Sequence, residues 1–149
     1  MAGDSRGGWH LMVDGAARGN PGEAGCGAII CDETGAALKE IYRYLGHTTN
    51  NVAEYEALLM GLEEVLRLGG RRLRVQSDSE LMVRQLNGVY RVKDEKLRRL
   101  HQMALGLLQR LEAYCIVHVV REHNRLADQL ANRAIDDALK KRSHRAKVD

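Results

Sequence analysis

The stretch Met12-Val13-Asp14-Gly15-Ala16-Ala17-Arg18-Gly19-Asn20-Pro21-Gly22 constrains this chain more than any other. An apolar, β-prone run from Trp9 to Val13 delivers one carboxylate, Asp14, and then breaks into a turn at Asn20-Pro21-Gly22. Pro presets φ and Gly accepts φ > 0, so the chain is expected to reverse there. In an alternating strand Asp14 shares a face with Met12 and His10, which puts a carboxylate at the end of a strand on a half-buried face. Taken alone, this is a hairpin whose Asp merely begins the turn. Three further carboxylates in similarly odd positions argue against that reading.

Downstream, Gly25–Cys31 and Ala36–Leu45 read as two strands joined by a tight turn at Asp32–Gly35, giving three antiparallel strands in succession. The polar break His47-Thr48-Thr49-Asn50-Asn51 offers helix caps, and a helix is expected from about Asn51 to Leu68, stopped by Gly69-Gly70. Its inward stripe is Leu58, Gly61, Val65 and Leu68; stepping back four residues from Leu58 lands on Glu54. Arg71–Gln76 alternates as a short strand and ends at Ser77-Asp78-Ser79, again an acid at a strand's carboxyl end. A short helix from Ser79 to Leu86, capped by Ser77 or Asp78, stops at Asn87-Gly88. The Leu stripe from Asp94 to Ala113 predicts the most regular helix, and Tyr114–Val120 a strand. The last helix, Arg125–Lys140, has an apolar face of Ala131, Ile135 and Ala138, with Asp128 on that face near its start.

Composition places this pattern in an ordinary soluble domain. The 149 residues carry 44% apolar and 29% charged side chains, with no Phe and one Trp, so a Leu, Val, Ile, Ala and Met core is expected. No apolar run is long enough to span a bilayer, which needs roughly 18 residues. Residues 1–8 lack an apolar segment and read as a flexible leader, the folded domain as 9–140, and 141–149 as a disordered basic tail. Cys26, Cys31 and Cys115 have no paired spacing and read as reduced core residues of a cytoplasmic protein. Residues 1–90 hold 9 basic and 12 acidic side chains and residues 91–149 hold 14 and 8, an asymmetry compatible with a polyanion partner.

Two strand ends (Asp14, Asp78) and two helix starts (Glu54, Asp128) thus each aim an acid inward. Each could be a cap or half of a buried ion pair, but the inward stripes near them contain no Arg or Lys. Gathered together, four carboxylates would repel and raise one another's pKa unless a cation sat among them. An oxygen-only donor set suits Mg²⁺ or Mn²⁺ and not zinc. Two such ions at about 4 Å would clamp the attacking and leaving oxygens of a phosphodiester hydrolysis.

The strand and helix order, together with Asp14-Gly15, Gly19-Asn20-Pro21-Gly22, Thr49-Asn50-Asn51 with Glu54, Ser77-Asp78-Ser79 and Ala127-Asp128 with Leu130-Ala131, resembles ribonuclease H type 1. The resemblance spans roughly Trp9 to Ala138. It implies an α/β fold, a five-stranded mixed sheet of three antiparallel then two parallel strands flanked by helices. It also implies hydrolysis of the RNA strand of RNA–DNA hybrids, leaving 5′-phosphate and 3′-hydroxyl ends. Carried over, Asp14, Glu54, Asp78 and Asp128 would hold two Mg²⁺ ions, with Mn²⁺ a substitute. Gly15, Asn20, Thr49, Asn50, Asn51, Ser79 and Glu80 match substrate-contacting positions. A monomer with no obligate protein partner is expected.

Two departures from the family pattern stand out. Some members carry a catalytic-loop His before the last acid; here the loop Arg121-Glu122-His123-Asn124-Arg125 is shorter, and His123 reads either as that helper or as a surface His. His118 reads as structural. Between Asn87 and Glu95 there is no room for the extra helix and basic loop of the best-known bacterial members, so the chain resembles the compact subgroup. Its grip on substrate would then lean on Arg91, Lys93 and the basic tail.

Overall fold

A computed structural model describes residues 8–148; of the expected leader, all but Gly8 lies outside the described residues. Three strands open the chain: β1 (Trp9–Gly19), β2 (Gly22–Cys31) and β3 (Ala37–Thr48). They pair antiparallel in sequence, His10 opposite Cys31 and Gly22 opposite Thr48. After helix α1 (Asn50–Leu68), β4 (Arg72–Ser77) enters beside β1 in parallel, Met12 opposite Gln76. Helices α2 (Glu80–Leu86) and α3 (Glu95–Leu108) follow, then β5 (Ala113–His118), parallel to β4. A 3-10 turn at Arg121–His123 leads into α4 (Arg125–Val148). The sheet order is β3-β2-β1-β4-β5, the mixed sheet expected.

The alternation of β1 and β2 divides the core. Leu11, Val13, Cys26, Ala28 and Ile30 join the main cluster with α1 and α3, whereas Met12, Ile29 and Cys31 meet Leu130 of α4 in a smaller one. Cys26 and Cys31 therefore lie on opposite faces, as their parity requires, and none of the three cysteines forms a disulfide. Helix α4 comes close to the sheet because β2 is Gly-rich. A Cβ at Gly25 would lie 2.5 Å from the Ala131 carbonyl oxygen, and one at Gly27 would lie 2.7 Å from that of Ala127.

Several boundaries differ from expectation. β1 does not break at Asp14 but pairs with β2 as far as Gly19; what ends at Met12 is its parallel pairing with β4. The left-handed residue of the turn is Gly19 (φ 110°), not Gly22; the Asn20–Pro21 peptide is cis. Ser79, and not Ser77 or Asp78, caps α2, its hydroxyl accepting the Met82 N–H. α3 stops at Leu108, before the expected Ala113, because the Glu112 N–H already bonds to the Arg71 carbonyl and starts β5. Its buried face is Leu100, Ala104 and Leu108, with Leu107 only partly covered. Leu68 on α1 is exposed.

The basic tail, expected to be disordered, is helical as far as the described residues extend. Residues 141–148 continue α4, and Arg142 is held by the Glu23 carboxylate at 2.8 Å. Ala, Leu and Lys around position 140 are strong helix formers, and no Gly or Pro follows to stop the helix.

Candidate active site

The four acids arrive from four elements. Asp14 leaves β1 just past the point where β4 stops pairing with it, and Asp78 follows the end of β4, so both stand at the carboxyl edge of the parallel strands. Glu54 lies in the first turns of α1, whose start is set by Thr49: its side chain accepts the Val52 N–H. Asp128 lies in the first turn of α4, its N–H bonded to the Asn124 carbonyl. All four line one open cleft of about 430 Å³, together with Gly15, Asn50 and Ser79.

The approach of α1 to β1 depends on Gly15. A Cβ there would meet the main chain of Ala53 and Glu54 at 2.3–2.5 Å, so only glycine lets the helix come this near. The Gly15 N–H donates to Glu54 Oε2 at 3.2 Å, which aims that carboxylate toward Asp14. Oxygens of Asp14, Glu54 and Asp78 lie within 4.8 Å of one another.

Such crowding has an electrostatic cost. Asp14 and Glu54 are 3% and 4% exposed, and burial pushes both carboxyls well above the ordinary carboxylate range. Neighbouring acids add to the rise: Glu54, Asp78 and Asp128 around Asp14, and chiefly Asp78 around Glu54. Three hard oxygen donors within 4.8 Å of one another, two of them desolvated, form a donor set that fits a divalent cation such as Mg²⁺ or Mn²⁺.

The absence of cations near the acids, expected from the stripes, is not what the structure holds. Arg121 Nη2 lies 3.7 Å from Asp128, and Arg18 lines the cleft while donating to Asp136 at 2.7 Å. Both come from a loop and a strand end, outside the helical stripes. Asn132, one turn after Asp128, donates to its carbonyl at 3.1 Å and its carboxylate at 3.4 Å. Asn124 was not singled out by the sequence either, although it is 1% exposed. It donates to the Val13 carbonyl at 2.9 Å and accepts from Gln76 at 3.4 Å, tying the loop before α4 to β1 and β4. Its position four residues before Asp128 was the available signal.

The expected substrate-contacting residues fall into two groups. Gly15, Asn50 and Ser79 border the cleft, and Asn20 Oδ1 accepts the Asn50 N–H at 3.1 Å, joining the hairpin turn to the start of α1. Thr49 caps α1, Asn51 sits half-buried in its first turn, and Glu80 is exposed and paired with Arg84 at 2.9 Å. His123 is exposed and does not line the cleft; its carbonyl accepts from Gln76 at 2.8 Å. His118 ends β5, exposed. Residues 87–94 connect α2 to α3 without a helix, as the compact pattern requires.

A mixed five-stranded sheet with acids converging at the carboxyl edge of its parallel strands defines the ribonuclease H-like class. Sequence comparison agrees: a family described as "Reverse transcriptase-like" matches residues 12–134. The chain is 40% identical over 129 residues to the Ribonuclease HI of Halobacterium salinarum, covering 87% of this chain and 65% of that one. A Ribonuclease H of Coxiella burnetii is 31% identical over 145 residues, covering 89% and 92%. The crystal structure of LC11-RNase H1 in complex with an RNA/DNA hybrid superposes with a TM-score of 0.84 at 45% identity, covering 88% of this chain and 99% of that one. The chain belongs to the ribonuclease H family. It spans about two thirds of the length of the Halobacterium relative.

Proposed function

We infer that this protein is a divalent-metal-dependent endonuclease that hydrolyses the RNA strand of RNA–DNA hybrids, leaving 5′-phosphate and 3′-hydroxyl ends. The observation that carries this is the cluster of Asp14, Glu54 and Asp78 oxygens within 4.8 Å at the floor of an open cleft, with Asp128 on its wall. These four acids would hold Mg²⁺, or Mn²⁺ in its place. When bound, such ions supply activation of a water and stabilisation of the leaving 3′-oxygen. Glu54, held by the Gly15 N–H, would also meet an RNA 2′-hydroxyl, the group that distinguishes RNA from DNA. Asn20 and Asn50, already hydrogen-bonded to each other beside the cleft, would grip the hybrid backbone, with Thr49, Asn51, Ser79 and Glu80 around them. The hybrid-bound relative supports this substrate. Three cysteines outside any disulfide support a reducing, cytoplasmic setting, and the protein would act as a monomer.

The test is cleavage of an end-labelled hybrid with Mg²⁺ by the unmodified protein and by Asp78→Asn. RNA-strand cutting that the substitution abolishes is the expected result. Hybrid binding without cleavage in Mg²⁺ or Mn²⁺ would overturn the enzyme reading in favour of a binding module.

A further inference from the structure

The last two turns of α4 are not explained by packing. Ile135 is the last fully covered residue of the helix, and every residue from Lys140 to Lys147 is exposed. That segment carries Lys140, Lys141, Arg142, His144, Arg145 and Lys147 and no acid. The helix dipole favours cations only within the final turn, which accounts for Arg145 and Lys147; Lys140 and Lys141 stand four residues after Asp136 and Asp137, but those acids bond to Arg18 and Tyr42 instead.

The base of this ridge is anchored. Arg142 donates to Glu23 at 2.8 Å and lies over the Tyr44 ring at 5.9 Å, and the Tyr44 hydroxyl also bonds to Glu23. Two turns before the ridge, Arg133 lies over Tyr42 at 5.1 Å, and Tyr42 donates to Asp137 at 3.2 Å. With Arg142 occupied in holding the helix, Lys140, Lys141, His144 and Arg145 surround an open hollow of about 350 Å³ that no acid lines.

Spacing and position both suit a nucleic-acid backbone. At about 1.5 Å and 100° per residue, residues 140–147 span ~11 Å, with Lys140 and Lys147 on one side of the helix and Lys141 and Arg145 on the neighbouring side, on average one cation per ~3 Å. One strand of a duplex carries a phosphate every ~3.4 Å. Glu23, the anchor, follows the turn whose Asn20 is bonded to Asn50 at the cleft. The ridge begins about 18 Å along α4 from Asp128.

The geometry points to Lys140, Lys141, Arg145 and Lys147 as a second backbone contact for a duplex whose scissile bond lies in the acid cleft. This rests on the nuclease reading for its substrate, but it is tested by binding alone. A stretch of 18–29 Å corresponds to roughly 5–9 base pairs, so a long hybrid reaches the ridge and a hybrid of roughly 6 base pairs on the cleft does not.

The experiment is metal-free anisotropy titration of a long and a short RNA–DNA hybrid across salt concentrations. It compares the unmodified protein with the combined Lys140→Gln, Lys141→Gln, Arg145→Gln and Lys147→Gln variant. For the long hybrid, the slope of log affinity against log salt is expected to fall by about 3 to 4, at ~0.9 per lost phosphate contact. The short hybrid should show no change. A charge-retaining variant, Lys140→Arg with Lys141→Arg and Lys147→Arg, should keep the original slope, and far-UV circular dichroism checks that α4 persists in both. Equal slopes for long hybrid in the unmodified and Gln proteins would make the ridge a solvated helix end and overturn the proposal. Failure of the unmodified protein to cleave, with the slope difference intact, would sink the nuclease reading alone.

Discussion

The Gly15 N–H donates to Glu54 Oε2 at 3.2 Å, joining the residue after the strand's acid to the helix's acid across a gap in which no Cβ fits. This contact brings β1 and α1 close enough for two carboxylates to share a site, and it compensates in part for desolvating Glu54. Gly15→Ala must therefore push α1 outward, since the atoms it meets are main chain. A cost of ~1–3 kcal/mol is expected, or more if the helix cannot shift. At this chain length ~1 kcal/mol corresponds to a melting shift of roughly 4 °C. Cleavage should fall far more than stability, because Glu54 moves away from Asp14. Thermal melts and hybrid cleavage on the same preparation check this; wild-type cleavage in a stable variant would refute it.

The buried acids predict an unusual pH response. Asp14 and Glu54 have raised pKa values in the fold, while in the unfolded chain they titrate near ~4. Above that pH the folded state binds more protons than the unfolded state, so these two groups make stability fall as pH rises toward their folded values. In chelator, the protein should melt lower at pH 8 than at pH 6. Mg²⁺ or Mn²⁺ should raise the midpoint more at pH 8, where binding displaces fewer protons. Asp14→Asn, which removes one charge from the cluster, should melt no lower than the unmodified protein in chelator at pH 8 and should lose the cation response. A variant still stabilised by Mg²⁺ to the same degree would contradict this.

How far the sequence reveals this arrangement depends on the kind of signal. Glu54 and Asp128 were legible because each sits where helix periodicity calls for an apolar side chain, and Asp14 and Asp78 because each stands at the carboxyl end of a β-like run. The β1–β2 hairpin was legible from Gly19 to Gly22, but which glycine takes positive φ was not, because the turn's geometry follows from the pairing register. Arg121 and Asn124 escaped notice since a loop carries no periodicity against which a polar residue stands out. The fate of residues 141–148 escaped for a different reason: their composition fits both a solvated tail and a helix. The contact that decides it, Arg142 with Glu23, is 119 residues apart in sequence.

Asn124 offers a test of how the loop before α4 positions Asp128. Its side chain links the Val13 carbonyl, next to Asp14, with Gln76, and its own carbonyl accepts the Asp128 N–H. Asn124→Ala leaves a buried Val13 carbonyl without its side-chain partner, at a cost of ~1–3 kcal/mol. Because the network sets where Asp128 stands, kcat should fall while KM changes little. Urea unfolding and steady-state kinetics measure the two effects; a raised KM at unchanged kcat would assign Asn124 to substrate contact instead.

Arg121 and His123, in the same 3-10 turn, are expected to play different parts. His123 contributes a carbonyl to Gln76, and a substitution keeps that carbonyl in place. His123→Ala should therefore leave cleavage within about twofold. Arg121 borders the cleft 3.7 Å from Asp128, where its charge attracts phosphate. With side chains this exposed the pair is worth at most ~1 kcal/mol, so Arg121→Ala should cost little stability. It should instead raise KM several-fold, with the change shrinking as salt increases. Measuring KM for both variants at low and high salt decides the matter. A kcat loss of tenfold or more in His123→Ala, unaltered by salt, would show that the imidazole acts in the cleft and that the loop closes over the substrate.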